Sequence, residues 1–185
     1  MTIRPPRADE LERLRAIERA AGHAFAGIGM PEIAADEPPS VEVLEVYRAR
    51  GAAWVITAPG VGDGGPDGDR PVGYVLVDVL DDPGPGGVAA RSAHIEQVSV
   101  DPAWAGRRLG ARLIEHVAGE ARRRGLDGLT LTTFRDVAWN APYYERLGFR
   151  VVKDDELGTG LRRVRDDEAG HGLDPALRVC MWRPL

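Results

Sequence analysis

Apolar positions recur along this chain with two different periods, and the changes between them mark its elements. Leu11, Leu14, Ile17 and Ala21 return every three or four residues, so residues 9–21 are predicted to form an amphipathic helix. Asp9, with Glu12 three residues later, reads as a capping-box start, the aspartate accepting from an amide that the first turn leaves unpaired. Thr2 to Pro5 is a candidate first strand. A second helix is predicted to start at Ser40 and stop at Gly51, with Val43, Leu44 and Tyr47 inward. The period then shortens. Residues 52–58 (AAWVITA), 72–80 (VGYVLVDVL) and 94–100 (HIEQVSV) are compact β-prone runs. The glycine-rich stretch 62–69 reads as a floppy hairpin tip and Pro83 to Gly87 as another loop, so the three runs predict an antiparallel meander.

Asp101 and Pro102 stop the third run, because proline has no N–H for a ladder. Leu109, Leu113, Val117 and Ala121 then line one face of a helix from about Arg108 to Arg124, which Gly125 ends. Arg122, Arg123 and Arg124 complement its dipole. Residues 129–134 (LTLTTF) are a further strand, and the strand–helix–strand order from 94 to 134 allows a parallel crossover. Asn140 reads as the cap of a short helix ending before Gly148. Residues 149–152 and 176–182 are the last strands, and 157–170 is a helix with Leu161 and Val164 inward. The expected class is therefore α+β, a mixed α/β chain.

Composition narrows the setting. A chain of 185 residues and 20.0 kDa suits one domain, 1–185. A net charge of −5 and a pI near 5.4, without a basic stripe, argue against nucleic acid as a partner. No apolar run is long enough to span a bilayer, and the polar start has no secretory core, so no membrane is expected. Cys180, the only cysteine, allows no internal disulfide and fits a reducing cytoplasm. It lies in an apolar strand without an adjacent base, a poor setting for a nucleophile. His23, His94, His116 and His171 lack metal-ligand spacing, so no metal is expected.

The most informative stretch is 94–117, HIEQVSVDPAWAGRRLGARLIEHV, where a strand leads through a glycine-containing turn into a helix. The first amides of a helix have no internal partner and carry the positive end of its dipole, which suits a diphosphate. Gly106 and Gly110 would let the backbone approach such a ligand, though glycines there also serve packing or capping. Neither G-x-G-x-x-G nor G-K-[ST] occurs in the segment.

Residues 98–114, VSVDPAWAGRRLGARLI, resemble the acyl-CoA motif of the GNAT superfamily, Gln/Arg-x-x-Gly-x-Gly/Ala after a strand. Residues 140–149, NAPYYERLGF, resemble that family's second feature, and the two come in the family's order. The resemblance implies an acyl-CoA N-acyltransferase fold, a central mixed, mostly antiparallel sheet of about 6–7 strands flanked by helices. It also implies an N-acetyltransferase that moves an acetyl group from acetyl-CoA to a primary amine by direct attack. The backbone of Val98, Ser99 and Val100 would pair with pantetheine between splayed strands, and Ala105, Gly106, Arg107, Arg108, Leu109, Gly110 and Ala111 would cradle the diphosphate. This chain departs from the motif at Ala105, where Gln or Arg is usual, and at Arg108, in place of the first glycine. Arg107 and Arg108 either pair with phosphate or are solvated surface. Val137 replaces an Asn often found seven residues before the tyrosine; Asn140 is a substitute contact or only a cap. Tyr144 matches the family's general acid at the CoA sulfur, and Tyr143 is assigned to packing.

Alternation puts Glu96 on the face of Val98 and Val100, where an acidic residue needs work or a partner, so Glu96 is the candidate general base. His94 on the same face is the reserve base, and a capped or exposed His is the plainer reading. Gln97 faces the other way. Trp104 and Trp139 flank the two motifs as site walls or as core. The acceptor is expected to be a small-molecule or peptide amine. The acidic residues Asp154, Asp155, Glu156, Asp166, Asp167 and Glu168 read as a cation-attracting wall or a solvated loop. A homodimer accords with the family's habit. The alternative function is a non-catalytic acyl-CoA sensor.

Overall fold

The computed structural model describes residues 1–59, 69–83 and 89–185, and of residues 82, 83 and 89 the backbone alone. Its strands are β1 (Ile3–Arg4), β2 (Ala53–Pro59), β3 (Asp69–Pro83), β4 (Ala89–Val100), β5 (Gly128–Phe134), β6 (Arg150–Val151) and β7 (Arg178–Pro184). Its helices are α1 (Leu11–Gly22), α2 (Pro31–Ala34), α3 (Val41–Ala49), α4 (Leu109–Arg123), α5 (Ala141–Glu145) and α6 (Thr159–Gly170). The strand order is β1-β2-β3-β4-β5-β7-β6 in one seven-stranded sheet. β1–β2, β2–β3, β5–β7 and β6–β7 pair antiparallel. β4 and β5 pair parallel, Ser92 opposite Gly128 through Ile95 opposite Leu131, as the crossover predicted. The mixed, mostly antiparallel α/β class holds.

The chain divides into two compact units, Met1–Val77 with Gln97–His116, and Asp78–Glu96 with Val117–Leu185. In the first, Leu11, Leu14 and Ile17 of α1 and Leu44 of α3 pack on Ala53 and Val55 of β2 and on Tyr74 and Leu76 of β3. In the second, Val152, Leu157, Leu161, Cys180 and Trp182 form the core. All four apolar positions read on α4, Leu109, Leu113, Val117 and Ala121, are buried.

Several local expectations need correction. The Asp9–Glu12 cap does not form. Residues Ala8–Glu10 are instead a 3-10 turn, and the Glu10 carboxylate accepts the Arg7 backbone N–H at 2.7 Å. Glu10 also takes both guanidinium arms of Arg4, at 2.8 and 2.7 Å. Burial opposes its charge, yet Arg4 and Arg7 hold its pKa below the usual carboxylate value. Val43 is 45% exposed, not inward: α3 turns only Leu44 fully into the core, and its Ser40 cap forms as read. Asp69 opens β3 and binds Arg4 and Arg7, with its carboxyl held down to about 2 chiefly by the Arg4 hydrogen bond. The rest of the expected loop tip, and Gly84 to Gly87 of the second loop, lie outside the described residues; Pro83 belongs to β3. The segment between α1 and α3 holds a 3-10 turn, His23–Ile28, and α2, neither signalled by a clear period.

A Cβ at Gly128 would lie 2.3–2.8 Å from three atoms of the Trp182 indole, a rigid ring in the second unit's core. Gly128→Ala is expected to cost about 1–3 kcal/mol, read as a lower denaturation midpoint. Gly119→Ala in α4, where the new methyl meets only the end of Arg123 at 3.9 Å, should be neutral or gain about 0.5–1 kcal/mol. Equal effects from both would refute the steric account.

Candidate active site

In the first unit, β4 ends at Val100 and hands the chain to a 3-10 turn, Pro102–Trp104. Asp101 organises the junction. Its side chain accepts the Ala103 N–H at 3.0 Å, its own N–H donates to the Val72 carbonyl at 2.9 Å, and its carbonyl accepts from Trp104 at 2.8 Å. Arg13 of α1 forks between the Asp101 carboxylate and the Pro71 carbonyl. Burial opposes the Asp101 charge, but the Arg13 hydrogen bond leads in keeping its pKa low.

The turn that follows is built from two left-handed residues, Gly106 at φ 75° and Arg108 at φ 58°. A Cβ on Gly106 would meet nothing within 4 Å, so glycine serves the backbone angle there and not close packing. Arg108 is the only non-glycine residue with positive φ among the described residues. Its backbone explains the glycine at this place in the motif, since a side chain in that region costs about 1–2 kcal/mol. The first bond of α4 joins the Arg112 N–H to the Arg108 carbonyl at 3.1 Å. The amides of Leu109, Gly110 and Ala111 therefore precede the helical ladder, the condition for anion binding. Ala105, Gly106, Arg107 and Arg108 are exposed. Arg107 is not simply solvated: it lies over the Trp104 ring at 4.6 Å.

Backbone direction on the end of β4 follows from Asp101. Alternate residues face the same neighbour, so Asp101 and Ser99 turn to β3, and Val100 and Val98 turn the other way. Gly73 on β3 lets the strands meet closely, its ideal Cβ lying 3.0 Å from the Ser99 carbonyl oxygen. The Val98 N–H is taken by the side-chain oxygen of Gln97 at 3.1 Å. Gln97 in turn donates to Glu18 of α1, which also accepts the Tyr74 hydroxyl. Burial pushes Glu18 up to about 7. Glu18 escaped the sequence reading, although four residues after Leu14 it falls on the apolar stripe of α1, where a charge is out of place.

In the second unit, β4 carries His94 and Glu96. His94 is 1% exposed, which overturns its reading as an exposed histidine. Its Nδ1 lies 2.9 Å from Thr130 Oγ1, itself 3.2 Å from Ser92 Oγ, and its Nε2 lies 3.7 Å from Glu96 Oε1. A third of the Glu96 side chain stays open, 33%, while its carboxyl is largely desolvated. Desolvation first, then the negative charges of Asp78, Glu168 and Asp167, push its pKa up to about 7. Glu168, on α6, is fixed by the Thr132 hydroxyl and by Arg178 of β7. The acidic segment is thus a 3-10 turn and a helix and not a loop, with Asp154 paired to Arg165 and Glu156 to Arg150, while Asp154, Asp155, Asp166 and Asp167 stay exposed to solvent as the solvated reading expected.

Tyr144, on α5 in the same unit, sits edge-on to Tyr143 at 5.4 Å and to Phe149 at 5.8 Å. Burial leads in raising its phenol above the ordinary tyrosine pKa, so the hydroxyl keeps its proton at neutral pH. Asn140 stands at the N-cap of α5, but its side chain makes no cap bond; its carbonyl accepts from Tyr143 and Tyr144 at 2.8 and 3.0 Å. Val137 is buried, and its carbonyl accepts the Asn140 N–H at 2.8 Å. Trp139 is 42% exposed, and Trp104 carries Arg107, so neither is core. Cys180 is buried with its thiol pushed up to about 12 by desolvation, which removes it as a nucleophile. Among the described residues no cluster of three metal-ligating side chains forms, and no helix is long and apolar enough to cross a membrane.

A sequence model of the acetyltransferase (GNAT) family matches residues 29–149, more than half of the chain. Among solved structures, a GNAT family acetyltransferase from Brucella melitensis in complex with acetyl-CoA is 25% identical at a TM-score of 0.52, over 80% of this chain and 82% of that one. The ribosomal-protein-S18-alanine N-acetyltransferase of Escherichia coli is 20% identical at 0.61, over 99% and 92%. N-acetylglutamate synthase from Neisseria gonorrhoeae, complexed with coenzyme A and N-acetyl-glutamate, is 17% identical at 0.68, over 100% of this chain and 35% of that chain.

Arg108→Gly removes the left-handed side chain and should raise stability by up to about 1 kcal/mol, measured by urea unfolding. If Arg108 also pairs with phosphate, the same variant should bind coenzyme A more weakly. A loss of stability would show that the guanidinium holds the turn.

Proposed function

The chain belongs to the acetyltransferase (GNAT) family, and on that premise we propose that it transfers the acetyl group of acetyl-CoA directly to a primary amine, working as one domain over 1–185. The family match runs through segments of both units, which supports the single-domain reading. The reading of activity rests on one observation above all: the Glu96 carboxylate lies 3.7 Å from the buried His94 ring, and desolvation and three neighbouring acids push its pKa up to about 7. A base poised there is half ionised at neutral pH and well matched to taking a proton from an ammonium.

In this reading the diphosphate rests on the amides of Leu109, Gly110 and Ala111, with Ala105 and Gly106 shaping the turn and Arg107 and Arg108 adding positive charge. Val98, Ser99 and Val100 supply backbone to the pantetheine arm, and Asn140 orders the start of α5. Glu96 removes the ammonium proton. The freed nitrogen attacks the thioester carbon, and the C–N bond forms as the C–S bond breaks. Tyr144, a phenol that is protonated at neutral pH, gives its proton to the leaving sulfur.

Whatever the base, the acceptor's own pKa sets how much its deprotonation costs. Moving a proton from a lysine amine at about 10.4 to a carboxylate at about 7 costs roughly 4–5 kcal/mol, and from an α-amine at about 8 only about 1. We therefore read the acceptor as an α-amine, of a peptide or a small molecule. Two solved relatives accord with this, one being named a ribosomal-protein-S18-alanine N-acetyltransferase and another being bound to coenzyme A and N-acetyl-glutamate. The negative charge of Asp78, Asp167 and Glu168 near Glu96 favours the ammonium form on approach.

The test is release of CoA from acetyl-CoA over a panel of free-N-terminal peptides, N-blocked lysine peptides and small amines. Glu96 acts ionised, so kcat/KM should climb as pH rises through about 7. Glu96→Gln should lose about 10²–10⁴-fold and that limb of the profile, and Tyr144→Phe about 10²-fold. Coenzyme binding with no amine acetylated would favour the sensor reading instead.

A further inference from the structure

The Glu18 network lies outside the chemistry just assigned, yet it ends on a peptide group the coenzyme needs. Tyr74 is fully buried on β3, and its hydroxyl donates to the Glu18 carboxylate. The Gln97 side-chain NH2 donates to the same carboxylate, while the Gln97 oxygen accepts the Val98 N–H at 3.1 Å. That order of donors and acceptors is forced. An ionised carboxylate only accepts, so Gln97 must turn its NH2 to Glu18 and its oxygen to Val98. The Val98 N–H points away from β3, so in this arrangement the Gln97 oxygen stands where an incoming carbonyl would be received.

We propose that Glu18 is a positioning residue for the coenzyme arm: through Gln97 it sets which end of that side chain faces Val98, and so whether the Val98 N–H is open to pantetheine. This rests on the coenzyme reading above. With Glu18 ionised, Gln97 occupies the amide as a placeholder for the ligand. With Glu18 protonated on the oxygen that faces Gln97, its O–H donates to the Gln97 oxygen, the amide turns over, and two N–H groups face each other at Val98. Donor facing donor is unfavourable, and the Val98 N–H is released to an outside acceptor. The groups that bear on the charge of Glu18 are Tyr74 of β3 and Gln97 of β4, by hydrogen bond, and Asp36 after α2, whose negative charge favours the protonated form. Arg19, next in sequence, is engaged by Glu37. Burial keeps the carboxyl near neutrality, within reach of ordinary pH.

The experiment is calorimetric titration with coenzyme A between pH 6 and pH 8. It uses the wild type, Gln97→Met, Glu18→Gln and Tyr74→Phe, with thermal melts to show that each folds. Gln97→Met removes the competing acceptor at nearly constant volume, and at pH 8 should bind about threefold to tenfold more tightly than wild type. Wild-type affinity should rise as pH falls through the Glu18 titration, over and above the slope left in Glu18→Gln. Tyr74→Phe removes a donor that favours the carboxylate, so that rise should move to higher pH. A merely structural network would change melting but not the pH dependence. If wild type binds coenzyme A while Gln97→Met is no tighter, or Glu18→Gln keeps the wild-type pH slope, this inference is overturned and the coenzyme reading stands. If wild type binds no coenzyme A, the coenzyme reading falls and takes the inference with it.

Discussion

A β-strand can send its backbone groups only two ways, and that limit organises the functional part of this chain. Immediately after β4, Asp101 spends its N–H on the Val72 carbonyl, which turns Ser99 to β3 and leaves Val98 and Val100 facing away. Side chains alternate as strictly, so Glu96 and Gln97, adjacent in sequence, project to opposite faces. Gln97 therefore meets α1 through Glu18, while Glu96 is left beside His94 and the acidic charges of its own unit. One aspartate after the strand then sets the 3-10 turn, and the turn sets the two left-handed residues that open α4. The catalytic and binding assignments thus follow from a register. Slipping it by one residue would exchange Glu96 with Gln97 and Val98 with Ser99.

Much of this was legible because it is periodic or local. The buried stripe of α4, the Ser40 cap, the left-handed Gly125 and the parallel crossover all follow from spacing or from single-residue chemistry. What stayed hidden depends on partners far along the chain. Glu10 receives its cap role from the Arg7 N–H and its neutralisation from Arg4, so a rule placing the cap at Asp9 fails by one residue. Asp69 looked like loop because its glycine-rich neighbours dominate the pattern, yet Arg4 and Arg7 fix it from the other end of the unit. At the candidate site, alternation and motif were enough to propose Glu96 and Tyr144. The burial of His94 was not, because it needs Thr130, 36 residues away.

Three desolvated carboxyls, one buried and two partly open, show how partners decide what desolvation does. Desolvation raises the pKa of every carboxyl, and what differs is the answer supplied. Glu10 is met by two arginines and stays ionised. Glu18 is met by neutral donors, Tyr74 and Gln97, which are weaker than a cation, and rises to about 7. Glu96 has further acids around it and rises as far. A purely structural role is best served by the first arrangement, because an ion pair with several hydrogen bonds compensates the cost of burial. The other two leave charge undecided at neutral pH, which adds nothing to stability and suits groups that exchange protons.

Arg108 presses the same logic on the backbone. A glycine would hold the left-handed angle without penalty, as Gly106 does two residues earlier. The chain instead carries a cation there, at the mouth of a helix whose first amides precede the ladder. No hydrogen bond or ion pair of the Arg108 side chain offsets the strain among the described residues, and its neighbour Arg107 is held over Trp104. Strain without a local return is hard to explain by folding alone. A guanidinium that reached a phosphate, as proposed, would supply that return, since a charge-assisted bond is worth more than the backbone cost. On the proposed reading, the departure from the motif at this position would add a contact to the coenzyme, and Arg108→Gly would remove it.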